Sequence, residues 1–97
     1  MSSAAKYVQS PAATLDYLIN WAPYLTSPPA QPGDTITTSS WLADTGITIT
    51  DLGHTDTTTS VRVTAGTLGG TYNAVNTITT SGGRTDERTL TFMIREL

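Results

Sequence analysis

The 97-residue chain contains no cysteine, which excludes a disulfide framework, thiolate metal sites and cysteine nucleophiles. Its stability must therefore come from packing and hydrogen bonds. It is also poor in positive charge: eight acidic residues stand against five basic ones, a net charge of -3. That leaves no footprint for a phosphate backbone, so nucleic acid is not an expected partner. No apolar run approaches the roughly 20 residues of a membrane-spanning helix, so no membrane partner is expected. Residues 1–14 carry only Lys6 as positive charge and lack the apolar core of a signal peptide. The chain is expected to be soluble and not exported by that route. Proline is absent after residue 33, which leaves the remaining two thirds free to form hydrogen-bonded ladders.

What is abundant is threonine, at about a fifth of the positions, in runs such as Thr57-Thr58-Thr59 and alternating as in Thr48 and Thr50. β-Branched residues favour pleated strands over helices. The length suits one domain with a modest core. Residues 1–13, rich in Ser and Ala, read as a flexible N-terminal arm, either frayed or ordered against a neighbouring subunit. Residues 14–97 read as the domain. From Leu15 to Trp21 a period of two places Leu15, Tyr17, Ile19 and Trp21 on one side, with Leu18 as the exception, and predicts the first strand; Pro23 argues against a helix there. Tyr24 to Gly33, with Pro28, Pro29 and Pro32, reads as a stiff extended connector. Strands are predicted over Asp34–Trp41, over Gly46–Asp51 with Ile47 and Ile49 inward, and over Thr58–Ala65 with Val61, Val63 and Ala65 inward. Leu52 to Thr57 reads as a loop or short edge strand.

The last third is the most informative. Tyr72 follows Gly69-Gly70, with Leu68 four residues upstream, where immunoglobulin-like folds place a tyrosine whose hydroxyl bonds back to the preceding corner. Leu68 and Tyr72 are thus a candidate structural corner, and Ala74 takes the inward position where antibody domains carry a cysteine. In the final hairpin, Leu90, Phe92 and Ile94 share one face and Tyr72, Ala74 and Ile78 another. The two coincide only if paired residue numbers sum to an even value. A two-residue Gly82-Gly83 turn gives an odd sum and opposes Phe92 to Asn73. The spacing therefore predicts an odd-length loop or a bulge at Gly82-Gly83, with a glycine at positive φ. The fold class is all-β: a single immunoglobulin-like sandwich of about seven strands.

No constellation carries a chemistry. His54, Asp56 and Ser60 or Ser81 are the raw material of a hydrolytic triad, but no serine sits in a nucleophile elbow and His54 lies in a polar turn. Asp34, Asp44, Asp51 and Asp56 match no calcium loop and are ordinary turn formers. Gly69-Gly70 leads into a strand rather than a phosphate-binding helix. The expectation is therefore no catalytic, metal or cofactor site, and no enzyme. Arg84, Asp86, Glu87 and Arg88 form the one dense charged cluster, read either as a solvated hairpin end or as a surface that sets register with a protein partner. Trp21, Tyr24 and Trp41 read as core, with a sugar-stacking platform as the alternative.

Four ordered stretches carry a resemblance. They are Leu15-Asp16-Tyr17 with Trp21; Gly33 to Ile36 through Ser40-Trp41; Gly46 to Ile49; and Gly69-Gly70-Thr71-Tyr72 through Ile78 to Leu90. Together they resemble a family of small tailed-bacteriophage structural proteins labelled fiber-tail adaptors, over about residues 15 to 95. The most specific piece is Thr80 to Arg88. The segment Pro28 to Pro32 looks longer than the family's usual link between the first two strands. The resemblance implies a virion component of the tail or neck, assembled in the host cytoplasm. It would be present in symmetric copies, as a homo-oligomeric ring, and join tail tube, hub or neck to fibers. Its implied partners are other tail, neck or fiber proteins. Pro28, Pro29, Pro32, Arg84, Asp86 and Arg88 are the candidate protein-interface residues. The alternative is an immunoglobulin-like capsid or tail decoration that binds host-surface glycan through Trp21 or Trp41.

Overall fold

Threonine-rich alternation becomes strands throughout the computed structural model, which describes residues 2–25, 34–64 and 67–95. These form β1 (Ser2–Gln9), β2 (Thr14–Asn20), a four-residue helix α1 (Ala22–Leu25), β3 (Ile36–Ala43), β4 (Thr48–His54), β5 (Thr58–Thr64), β6 (Thr71–Thr80) and β7 (Thr85–Ile94). They build an all-β sandwich of two sheets, one ordered β1-β7-β6-β3 and the other β2-β5-β4.

The period of two decides what is inside. Ala74, Asn76, Ile78 and Thr80 of β6, Leu90, Phe92 and Ile94 of β7, and Thr59, Val61 and Val63 of β5 all turn inward and are buried. Ile19, Trp21, Leu25 and Ile36 complete the core. Each large apolar side chain so buried contributes about 1.5–3 kcal/mol of transfer free energy. Leu18, the exception to the β2 alternation, is indeed outside, at 56 % exposed.

The hairpin register is even. Tyr72 faces Phe92 and Ala74 faces Leu90. The loop is the odd-length Ser81-Gly82-Gly83: the Thr80 N–H donates to the Arg84 carbonyl (2.8 Å), the Gly83 N–H to the Thr80 carbonyl (2.9 Å), and Gly83 takes φ of 85°. A one-residue bulge after Ile36 shifts β3 so that Ile36 and then Ser39, Trp41 and Ala43 face inward.

Several expectations need correction. Residues 2–9, read as a flexible arm, are β1, paired in parallel with β7. Among the described side chains the inward residues of β1 are Tyr7 and Gln9, neither of them aliphatic. Tyr7 packs its ring 4.5 Å from that of Tyr17 and 5.8 Å from Phe92. Gln9 is fully buried: its Nε2 donates to the carbonyls of Val63 (3.1 Å) and Ala13 (3.2 Å), and its Oε1 accepts from the Tyr17 hydroxyl (2.6 Å). Tyr24 and Leu25, assigned to the extended connector, end α1 instead, with Leu25 anchored in the core. Of Leu52 to Thr57, read as a loop or short edge strand, Leu52 to His54 are edge strand and continue β4, because a bulge between Asp51 and Gly53 lets Gly53, at φ of 94°, keep the pairing. Pro28, Pro29, Pro32 and Ala65 lie outside the described residues.

A second polar group ties the sheets together where a disulfide is absent. Asn76 of β6 donates through Nδ2 to Ser39 Oγ (2.9 Å) and the Ser40 carbonyl (3.0 Å). Its Oδ1 accepts from Trp21 Nε1 (3.1 Å) and from the Thr59 hydroxyl (2.8 Å). All four hydrogen-bonding positions of the amide are used, which is the condition for a buried amide to stabilise rather than cost.

Candidate protein interface

One end of the sandwich gathers four segments into a knot. The Asn20 carboxamide accepts from the Ala22 N–H at 3.1 Å and starts α1 directly after β2. The Trp21 N–H donates to the Thr57 carbonyl (2.8 Å), the Ile36 N–H to that of Asp56 (2.9 Å), and the Ser81 N–H to that of Thr35 (2.8 Å). Thus α1, the turn between β4 and β5, the approach to β3 and the tip of the last hairpin share one surface.

Asp34 holds that knot. Its Oδ1 accepts from the Ser81 hydroxyl (2.6 Å), the Gly82 N–H (2.8 Å) and the Thr35 N–H (3.1 Å). Hydrogen bonds from Ser81 first, then Thr80, and from the Gly82 and Thr35 backbone hold its carboxyl down to about 2. Arg84 Nη1 stands 4.0 Å from the other carboxylate oxygen. A Cβ at Gly82 would lie 2.7 Å from Arg84 Nη1 and 3.2 Å from Asp34 Oδ2, so a larger residue there displaces the arginine from the carboxylate.

Arg84, Asp86 and Arg88, the charged interface candidates, lie on successive even-numbered positions approaching the inward face of β7, where the sandwich opens at this end. The Arg88 guanidinium carbon stacks 4.3 Å from the centroid of the Trp21 ring, a cation–π contact that covers the indole. Tyr24 packs its ring edge-on to Trp21 at 5.5 Å. Burial, then the nearby Asp86 and Asp34 carboxylates, raise its phenol above the ordinary value, while Arg84 and Arg88 partly oppose them. The connector that holds Pro28, Pro29 and Pro32 leaves from Leu25 and returns at Asp34, both at this end, although the three prolines are outside the described residues.

Leu68 and Tyr72 sit at the opposite end. The Tyr72 hydroxyl accepts from the Thr67 N–H at 3.2 Å, and its ring lies so close over Gly46 and Gly70 that neither position has room for a Cβ. Leu68 is 54 % exposed. The remaining candidates serve turns. Asp51 accepts from the Gly53 N–H inside the β4 bulge (2.8 Å), and Asp44 from the Asn73 N–H (2.8 Å). His54 is exposed, with Nδ1 2.9 Å from the Thr55 carbonyl. Among the described residues no group of three His, Cys, Asp or Glu is placed to hold a metal ion. Trp21 has no face for a sugar, being fully buried, and Trp41 is half-buried on β3.

Asn76 and Gln9 are the structural residues that pattern reading missed. For Asn76 a signal existed, since it lies between Ala74 and Ile78 on the face the hairpin register turns inward.

In this two-sheet sandwich Asp34, Asp44 and Asp51 hold turns, and the amides of Gln9 and Asn76 tie the sheets together. The family model described as podophage GP4 fiber-tail adaptor protein gp77 matches residues 9–93, and the chain belongs to that family of phage tail structural adaptors. Among curated proteins none matches it.

Proposed function

We propose that the protein connects the tail of a podophage to its fibers as a set of symmetric copies closed into a ring, with the knotted end of the sandwich as its docking face. The match to the adaptor family over residues 9–93 is the observation that carries this reading. The geometry supports the choice of face. Four segments converge there, Arg84, Asp86 and Arg88 present alternating charge suited to setting register with a partner, and the proline connector begins and ends there. The strand order supports an immunoglobulin-like reading of the sandwich. β2-β5-β4 and β7-β6-β3 correspond to the B-E-D and G-F-C arrangements of immunoglobulin domains, with β1 beside β7. Head-to-tail contacts between identical subunits form rings where the rotation between neighbours closes. Particles assembled without this chain should show tails without fibers in electron micrographs. Particles that keep their fibers would overturn the proposal.

A further inference from the structure

Four strands border the two sheets: β1 and β3 the first, β2 and β4 the second. β1 carries Lys6, β2 carries Asp16, and β4 carries Asp51 and the Gly53 bulge. β3, Ile-Thr-Thr-Ser-Ser-Trp-Leu-Ala, has neither charge nor proline, and among the described residues no strand covers its outer side. Such an edge is a template for another strand. The phase of its ladder shows which groups are free. The Asp44 N–H donates to the Asn73 carbonyl at 2.9 Å, and the pairing runs back from there without a slip to Thr38 opposite Thr79. In an antiparallel ladder alternate residues turn both backbone groups to their partner. Leu42, Ser40 and Thr38 therefore face β6, and Ala43, Trp41 and Ser39 turn N–H and C=O to the open edge. Beside them Leu42 is 76 % exposed, and the indole N–H of Trp41 is buried without a hydrogen-bond partner.

We propose that β3 pairs antiparallel with β3 of a second copy of this chain, fusing two four-stranded sheets into one. Two copies of an acidic chain repel each other, so they approach most readily where neither presents charge. Among the four bordering strands only β3 offers that. Both members of each hydrogen-bonded pair must be edge-turned, so their numbers are odd and sum to an even value. Even-sum registers centred on Ser39 and on Ser40 both pair seven residues; we take the Ser40 register, which leaves out Ile36 on the far side of the bulge. It opposes Ser39 to Trp41 in both directions, which sets a serine of the second copy beside the unpartnered indole, and it opposes Thr38 to Leu42. This contact has two-fold symmetry and closes with two copies. The pairing does not depend on the adaptor reading.

A chain without cysteine makes the test clean. In this register the two Ser40 residues form a non-hydrogen-bonded pair about 4.5 Å apart at Cα, within disulfide range. The two Leu42 residues lie about 13 Å apart along the strands. Ser40→Cys should oxidise to a covalent dimer and Leu42→Cys should not. In sedimentation the unmodified chain should show the mass of two copies. Leu42→Lys, or Ala43→Pro, which removes an edge N–H without touching the β6 ladder, should show the mass of one with unchanged far-UV circular dichroism. Three results would each overturn the pairing: equal cross-linking of the two cysteine variants, a two-copy mass that survives Ala43→Pro, or a single-copy mass with no Ser40→Cys dimer.

Discussion

Asn76 is the residue on which the two sheets lean without a covalent link. Replacing it with Leu keeps the number of side-chain heavy atoms but takes the Oδ1 acceptor from the buried Thr59 hydroxyl and leaves the Trp21 N–H only Thr59 Oγ1, at 3.3 Å. Denaturant unfolding should show a loss of about 2–3 kcal/mol; an unchanged midpoint would mean the amide is incidental. Asp34 makes a pH prediction. Its carboxyl titrates at about 2 in the fold against an ordinary 3.8. A depressed pKa contributes stability that is complete above the unfolded value and is lost as pH falls through the folded one. Thermal stability should therefore decline between those two values, and Asp34→Asn should be less stable at neutral pH with a flatter decline over that window. Parallel profiles for the two proteins would contradict the assignment. Both roles were hard to read from sequence. Asp34 looks like any turn aspartate until Ser81, 47 positions away, is folded against it. Asn76 looks like a break in an apolar alternation whose partners lie 17 and 55 positions distant. Tyr72 was legible because Gly70 and its hydrogen-bond partner Thr67 are local, although Gly46 under the same ring is not.

At the level of elements, local pairing was legible and distant pairing was not. The β6–β7 hairpin follows from parity alone, since only an even sum puts Tyr72 and Phe92 on one face. Its positive-φ glycine makes a direct test: Gly83→Val should cost about 1–2 kcal/mol, read by thermal unfolding. A neutral substitution would mean the loop adopts another turn. β1 escaped notice because a parallel strand at the start of a chain has no hairpin to announce it, and because Tyr7 and Gln9 are its anchors. If β1 is integral to the sheet, Tyr7→Ala removes a ring packed on Tyr17 and Phe92 and should cost about 2 kcal/mol. An untethered arm would leave stability unchanged. The bulges in β3 and β4 were equally invisible, since one extra residue in a threonine run does not disturb composition.

At the level of the whole molecule the two ends differ in kind. One holds the Tyr72 corner and turn aspartates such as Asp44, a closed structural end. The other holds Asp34, Tyr24 and the Arg84 to Arg88 row, with the proline connector attached. The sequence pointed to the charged row and the connector as separate surface features. It could not show that Asp34 and Leu25 bring them to the same end, because that depends on contacts between β3, α1 and the last hairpin. Family membership supplies the setting, a phage tail adaptor, and the geometry supplies the candidate face. The most direct test puts a photo-crosslinking residue at position 86 in one virus and at the exposed position 68, at the far end, in another. The account predicts that purified virions give a cross-link from position 86 to a different virion protein and none from position 68. Cross-links from position 68 alone would contradict it.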